Sequence, residues 1–158
     1  FIPSARPPHK PAAQLAPARH RLAMVRLAVA RNPRFRASAI EVERGGRSFS
    51  VDTLRSLQRR LGPDAALYFF LGLDAFRDLG TWRSFADIFG LADLVVTSRP
   101  PEVLPPTVEA LPVAVQPHFC YRPRRGWIHR SGHKILFRSV TPLDISATDI
   151  RARLSHGR

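Results

Sequence analysis

Apolar residues recur at helical spacing in two segments of the chain. In residues 18–31, which follow Pro17, the stripe consists of Leu22, Val25 and Val29, broadened by Met24, Leu27 and Ala28. In residues 51–61 it consists of Val51, Leu54, Leu57 and Leu61. Both patterns predict amphipathic helices that pack one face on a core. A third helix is predicted to begin near Ser146, because Ser146 and Asp149 have the spacing of a capping box.

Other apolar segments are too short for helices and predict strands. Residues 66–71 form a continuous apolar run, which favours a strand buried on both faces. Shorter runs predict strands at 92–97 and 134–139, and the alternation of Ile40 with Val42 predicts a half-buried strand within 35–43. The opening residues 1–3 resemble the close of a strand. Strands and helices in alternation predict a doubly wound α/β fold with a mostly parallel sheet.

Residues 102–132 show neither the helical spacing nor the strand alternation of apolar residues. This segment is rich in proline and contains a basic cluster of Arg122, Arg124 and Arg125. We expect a long surface excursion from the sheet, with one strand near 113–115. The excursion is predicted to belong to a single domain that spans residues 1–158, a length sufficient to bury a core.

The run at 66–71 leads directly into candidate chemistry. It ends in Gly72-Leu73-Asp74, so a flexible residue is followed by one suited to a helix N-terminus. This order would place a carboxylate at the carboxyl edge of the sheet, where open α/β sheets bind ligands. Trp82 offers a flat ring a short helix later. Asp74 as a simple cap and Trp82 as a packing residue remain the alternative interpretation.

Charge points to anionic partners without choosing among them. Lysine and arginine number 25 against 12 acidic residues, a formal net charge of +13. This balance suits nucleic acid or small phosphates, although arginines spread over solvated faces would give the same total.

No apolar run approaches the roughly 20 residues of a membrane span. With no recognisable leader and a single cysteine, Cys120, the sequence predicts a reducing, cytoplasmic location.

Two further groupings could bind ligands. The predicted helix start offers free backbone N–H groups, the hydroxyls of Ser146 and Thr148, and the guanidinium of Arg151, which together suit a phosphate. Zinc is the other candidate, at Cys120, His129 and His133 with His118 nearby. Zinc sites usually show closer cysteine pairs or a helix joining the two histidines, so the spacing disfavours zinc. Nucleophile-elbow, Walker and dinucleotide glycine motifs are absent from the sequence.

Six short motifs taken in order resemble a known family. They read F-I-P-S-A-R-P-P-H-K, S-F-S-V-D-T-L, G-L-D-A-F, T-W-R-S-F, T-S-R-P and I-S-A-T-D-I-R. This order resembles that of the bacterial nicotinate-nucleotide adenylyltransferases, nucleotidylyl transferases with a Rossmann-like α/β fold. The resemblance covers nearly the whole chain.

The resemblance implies a reaction and its site residues. Enzymes of this family join nicotinate mononucleotide to ATP, with Mg²⁺ assistance, giving deamido-NAD and pyrophosphate. The implied ATP-binding residues are Gly72, Asp74, Ile145, Ser146, Thr148 and Arg151, with Asp74 on the ribose. His9 and Lys10 would face the phosphates. Ser50, Trp82, Arg83 and Arg99 would bind the nicotinate nucleotide, with Trp82 stacked on the pyridine ring. The protein is expected to supply no metal ligand.

The sequence also departs from the family pattern. Phe49-Ser50 replaces the usual Tyr-Thr, which keeps a hydroxyl at position 50. The family's G-x-F-D-P and H-x-G-H motifs are absent from this sequence. We also expect the family's last helical segment to be missing. We therefore expect a fragment with very little transfer activity.

Two rival functions remain open. The first is an adenylyltransferase acting on phosphopantetheine, against which the Trp82 region and Ser50 argue. The second is a noncatalytic, basic nucleic-acid-binding module, against which scattered arginines would count. A homo-oligomer is a further expectation, whereas a membrane partner is not expected.

Overall fold

The computed structural model describes residues 1–8, 11, 15–98, 111–141 and 147–156. Six α-helices lie in this part of the chain: α1 Ala18–Val29, α2 Ile40–Arg44, α3 Ser50–Leu61, α4 Leu73–Arg77, α5 Phe85–Ile88 and α6 Ala147–Ser155. The predicted helices at 18–31 and 51–61 are confirmed as α1 and α3. None of the helices in the described residues is long and apolar enough to cross a membrane.

Five strands form one mixed sheet in the order β1-β2-β5-β4-β3. Their bounds are β1 Tyr68–Gly72, β2 Asp93–Ser98, β3 Phe119–Arg122, β4 Gly126–His129 and β5 Lys134–Ser139. Strands β1, β2 and β5 are parallel, whereas β4 pairs antiparallel with both β5 and β3. Helices flank this sheet. The predicted α/β class and the three strands at 66–71, 92–97 and 134–139 are confirmed.

The parallel strands bring three chain segments to one edge of the sheet. Gly72 pairs with Thr97, and Ser98 pairs with Ser139, so β1, β2 and β5 end together. The amide of Val140 donates to the carbonyl of Ser98 at 3.1 Å and extends this alignment past β5. The segments that follow these three ends lead to Asp74, to Arg99 and to α6. Arg99 itself lies outside the described residues.

The prediction of a surface excursion is wrong for residues 111–132. Strands β3 and β4 complete the sheet, and Phe119 and Trp127 are buried in the main core together with Leu111 and Val115. No strand forms at 113–115, where the chain turns instead. In β3 only Phe119 is buried, and in β4 Trp127 and His129 are buried. This pattern of buried residues is too short and too interrupted to stand out in the sequence.

The predicted strand within 35–43 is also wrong. Residues 35–39 are irregular and α2 begins at Ile40. An alternating strand would have exposed Glu41, but Glu41 is buried beside Ile40. The hydroxyl of Thr53 donates to its Oε1 atom at 2.6 Å, and this bond from α3 offsets part of the cost of burying the carboxylate.

Two smaller expectations also differ from the structure, namely the buried stripe of α1 and the strand end at residues 1–3. In α1 only Leu22 is fully buried, and Met24, Leu27 and Ala28 are exposed rather than part of the packed stripe. Residues 1–3 are not a strand, although Phe1 exchanges backbone hydrogen bonds with Arg36 and Ser38.

Strand β1 is not buried on both faces. Among the described residues it pairs only with β2. Tyr68 and Phe70 retain 54% and 67% of their exposure. An apolar groove of about 870 Å³ adjoins this open edge and is lined in part by Phe1, Phe35 and Leu57.

Candidate active site

One cavity brings together three of the predicted nicotinate-nucleotide residues. Its volume is about 340 Å³, and Ser50, Trp82 and Arg83 line it. The remaining lining residues are Ser4, Pro8, Ser48, Phe49 and Thr81. We call this space the tryptophan cavity. It lies between the start of α3 and the turn that follows α4, and Pro8 leads from its wall towards His9 and Lys10, which lie outside the described residues.

Trp82 is held by the turn in front of it and by the edge strand. A short 3₁₀ helix, Leu79–Thr81, ends at Trp82, whose amide donates to the carbonyl of Leu79 at 3.0 Å. The ring is half-buried and meets the ring of Phe69 edge-on at 6.3 Å between centroids. The two ring planes are inclined at 63°, so Phe69 is not stacked parallel to the indole.

The same turn depends on a close backbone approach. A Cβ atom at Gly80 would lie 2.6 Å from the Cβ of Ala114, a distance that side chains essentially never adopt. Glycine is therefore needed where this turn meets residues 111–115. The contact joins the segment that carries Trp82 to the part of the chain that was predicted to be a surface excursion.

Arg83 supplies the positive charge of the tryptophan cavity and is oriented by two neighbours. Its Nη1 atom lies 3.6 Å from Oδ2 of Asp52. Its guanidinium carbon sits 4.7 Å from the centroid of the Phe49 ring, within the range of a cation–π contact. The side chain remains more than half exposed. Arg83 can therefore keep both contacts and still present N–H donors to an anion entering the cavity.

A polar clamp fixes the wall opposite Trp82. The buried hydroxyl of Ser48 accepts a hydrogen bond from the amide of Ala5 at 2.8 Å, and the amide of Ser48 donates to the carbonyl of Arg6 at 2.9 Å. These bonds hold residues 4–8 against the start of α3. The sequence did not predict this role of Ser48, because nothing in the local pattern indicates a hydrogen-bond partner 43 residues away.

The predicted ATP residues are described only in part. Gly72 is the last residue of β1 and precedes α4, so it rather than Asp74 occupies the N-cap position. Asp74 lies in the first turn of α4, and its carboxylate is 99% exposed and 3.8 Å from Nη1 of Arg77. Neither residue lines the tryptophan cavity. Arg151 is exposed on α6. Ile145, Ser146, Arg99 and the side chain of Thr148 lie outside what the structure describes.

The zinc alternative finds no support in the described residues. Cys120, His118, His129 and His133 all belong to the described part, yet within it no three histidine, cysteine or carboxylate side chains are grouped to hold a metal ion. His133 is instead bound through Nδ1 to Oδ1 of Asp93 at 3.0 Å. The antiparallel register of β3 and β4 explains the separation, because Cys120 lies opposite Ile128 and not opposite a histidine.

Comparison with known proteins now adds to this geometry. A sequence profile of the cytidylyltransferase-like family matches residues 1–153. The chain is 46% identical to the probable nicotinate-nucleotide adenylyltransferase of Citrifermentans bemidjiense, over the whole chain and 73% of that protein. Proteins with the same name from Geobacter sp. strain M21 and Geobacter metallireducens are 45% and 43% identical over the same shares. The chain therefore belongs to the cytidylyltransferase-like family and, within it, to the nicotinate-nucleotide adenylyltransferases.

Proposed function

We propose that this chain serves adenylyl transfer from ATP to nicotinate mononucleotide, with deamido-NAD and pyrophosphate as products. An oxygen of the mononucleotide phosphate attacks the α-phosphorus of ATP, and the bond from that phosphorus to the α–β bridging oxygen breaks. The electron pair leaves with pyrophosphate. No covalent enzyme intermediate is required, so catalysis consists of alignment and stabilisation of charge.

The observation that carries this proposal is the composition of the tryptophan cavity. A pyridine ring with a carboxylate needs a flat surface, a cation and a hydrogen-bond donor within a few ångströms of one another. Trp82, Arg83 and Ser50 offer these three groups in one cavity of about 340 Å³. The volume lies near the lower end for small-molecule sites, which suits the base of a mononucleotide.

The ATP half of the proposal relies on the carboxyl edge of the sheet. Gly72 and Asp74 follow β1, Arg99 follows β2, and Ile145, Ser146, Thr148 and Arg151 follow β5. We assign the adenosine to the first group, with Asp74 on the ribose, and the phosphates to the last, with His9 and Lys10 approaching from the loop after Pro8. Arg99 is assigned to the nucleotide side of the cleft. Parallel strands that end together support a shared ligand edge.

Magnesium belongs to this proposal only as a companion of ATP. Within the described ranges no three histidine, cysteine or carboxylate side chains are grouped to hold a metal ion. We assign Mg²⁺ to the phosphate oxygens of the nucleotide and no step to the protein. A cytoplasmic location and a homo-oligomer remain predictions.

Binding is the direct test, because the sequence has no H-x-G-H motif. Calorimetry should show nicotinate mononucleotide binding to the chain, with phosphopantetheine binding far more weakly. Trp82→Ala should weaken mononucleotide binding by roughly tenfold or more, since stacking on an aromatic ring contributes about 1–3 kcal/mol. Trp82→Phe should recover much of the affinity.

The control separates stacking from loss of an aromatic residue in general. Tyr121→Ala removes an exposed ring at the opposite edge of the sheet and should leave mononucleotide binding unchanged. ATP affinity should change little in either variant. Equal losses of ATP and mononucleotide affinity in Trp82→Ala would contradict the assignment, and preferred binding of phosphopantetheine would favour the rival enzyme.

A further inference from the structure

A second cavity lies at the opposite edge of the sheet from the tryptophan cavity. It has a volume of about 670 Å³ and is bounded by the β3–β4 hairpin. Its basic and reactive lining residues are Arg122, Arg125, Arg130, His118, His129 and Cys120, and none of the described carboxylates lines it. We call it the basic cavity. Neither the reaction nor the family motifs assign it a role.

The hairpin register places Cys120 and Arg122 on one face, whereas His129 lies opposite Phe119 on the other face. Cys120 lies opposite Ile128 and Arg122 opposite Gly126, so these pairs share one face of the hairpin. The core side chains Phe119 and Trp127 occupy the other face. Gly126 leaves space beside Arg122.

The turn at the end of the hairpin adds a second guanidinium. The amide of Arg125 donates to the carbonyl of Arg122 at 3.0 Å, which closes the turn and places Arg125 next to Arg122. Two cationic side chains are therefore fixed at the end of the hairpin by its backbone.

Among the described residues, no carboxylate neutralises the positive charge of the basic cavity. Arg122, Arg125 and Arg130 have none within 4 Å in this part of the chain, whereas Arg55 and Arg83 each do. Burial is the main cause that lowers the pKa of His129, and the nearby Arg130, His118 and His133 lower it further. An anion in the cavity would relieve the part of this effect that comes from charge repulsion.

We propose that the basic cavity binds a small, multiply charged phosphate anion of the diphosphate class, either free or as the diphosphate of a nucleotide. Guanidinium groups bind phosphate oxygens through paired N–H donors, and several of them favour a polyanion over a monoanion. The volume lies within the range of small-ligand sites. This site is separate from the adenylyl-transfer cleft, because the sheet order places β3 and β1 at opposite edges.

The cavity contains its own reporter. Cys120 is the single cysteine of the sequence, it is exposed, and it lines the cavity. Alkylation of Cys120 by iodoacetamide, which is uncharged, can be followed by mass spectrometry while inorganic pyrophosphate is titrated at constant ionic strength. We expect the alkylation rate to fall and level off as pyrophosphate is added, because a bound anion covers Cys120 and disfavours its thiolate.

Paired variants test whether the protection of Cys120 arises from binding in the basic cavity. Arg122→Ala combined with Arg125→Ala should abolish the protection of Cys120. Arg59→Ala combined with Arg60→Ala removes the same charge from the end of α3 and should retain it. Trp82→Ala should also retain it, so failure of this proposal is distinguishable from failure of the proposed function. Circular dichroism of each variant reports whether it is folded.

Four results would overturn the proposal. The first is the absence of protection in the unmodified chain. The second is protection that sulfate matches at equal ionic strength, which would indicate an adventitious ion only. The third is protection lost equally in both double-arginine variants, which would indicate general charge attraction. The fourth is protection by a single-stranded oligonucleotide but not by pyrophosphate, which would assign the surface to nucleic acid instead.

Discussion

The two cavities at opposite edges of the sheet use arginine differently. In the tryptophan cavity Arg83 lies 3.6 Å from Asp52 and 4.7 Å from the Phe49 ring centroid, so its orientation is set before a ligand arrives. In the basic cavity Arg122, Arg125 and Arg130 converge, and the part of the chain that the structure describes places no carboxylate in the lining. The first arrangement suits a flat aromatic ring that carries one negative group, and the second suits a compact polyanion. The formal charge of +13 does not distinguish these cases, whereas local partners do.

The largest effect should come from breaking the attachment of the hairpin to the core. Trp127 is 3% exposed and packs in the main core. Trp127→Ala should lower the free energy of unfolding by about 3–5 kcal/mol, because the cavity left by a large ring cannot close completely. Tyr121→Ala should cost less, about 1 kcal/mol, because the Tyr121 ring is 48% exposed although it lies 5.0 Å from the ring of Trp127. Urea unfolding measures both, and equal small losses would mean that the hairpin is a surface excursion after all.

The next effect tests the link between the two regions. Gly80→Ala forces a methyl group to within 2.6 Å of Ala114 and should cost about 1–3 kcal/mol of stability. It should also displace Trp82 and weaken mononucleotide binding. Gly90→Ala is the matched control, because its Cβ would meet only Asp87 O at an ordinary 3.6 Å. Indistinguishable melting curves and affinities for the two variants would show that the turn and residues 111–115 are not in close contact.

A smaller effect is expected at the wall of the tryptophan cavity. Ser48→Ala removes the acceptor of the Ala5 amide and should cost about 1 kcal/mol. Residues 4–8 would then be held less firmly, and mononucleotide affinity should fall by about fivefold. Ser56→Ala makes the same chemical change outside the cavity and should leave the affinity unchanged. Equal calorimetric affinities for the two variants would show that the hydrogen bond between Ser48 and Ala5 does not support mononucleotide binding.

The smallest effect is a dependence of stability on pH at the basic side. The folded state lowers the pKa of His129 from 6.5, so unfolding takes up a proton as pH falls through 6.5 towards that lower value. Stability should therefore decrease with falling pH in this window, with a slope of at most about 1.4 kcal/mol per pH unit. Denaturant titrations at pH 7, 6 and 5 should show a shallower decline in His129→Gln. His20→Gln, on exposed α1, should retain the full slope, and a full slope in His129→Gln would exclude His129 as its source.

The parts of the fold that the sequence predicts are those with uninterrupted patterns. Helix α3 has an apolar stripe of four residues, and β2 and β5 are apolar runs bounded by polar residues, so their positions follow from local periodicity. The position of the β3–β4 hairpin does not, because each strand has four residues and only Phe119 in β3 and Trp127 and His129 in β4 are buried. Its pairing depends on the β5 strand, which no local pattern reveals.

The candidate site likewise contains residues that the sequence predicts and residues that it does not. Trp82 and Ser50 were identified through short motifs in a fixed order, and the structure brings them into one cavity with Arg83. The role of Ser48 could not be predicted, because its partner is the backbone of Ala5. The basic cavity was only partly visible, as a cluster of arginines near 122–125, because convergence with His118 and Arg130 requires the folded hairpin.

The most direct test of the account uses a chain with a single tryptophan. Trp127→Phe leaves Trp82 as the sole indole, and its fluorescence then reports on the tryptophan cavity alone. Titration with nicotinate mononucleotide should quench it saturably below about 1 mM, the upper range of ordinary substrate affinities. Arg83→Ala introduced into the same variant should weaken that quenching. A fluorescence signal that stays unchanged to this concentration, in a variant shown to be folded, would contradict the placement of the pyridine nucleotide in this cavity.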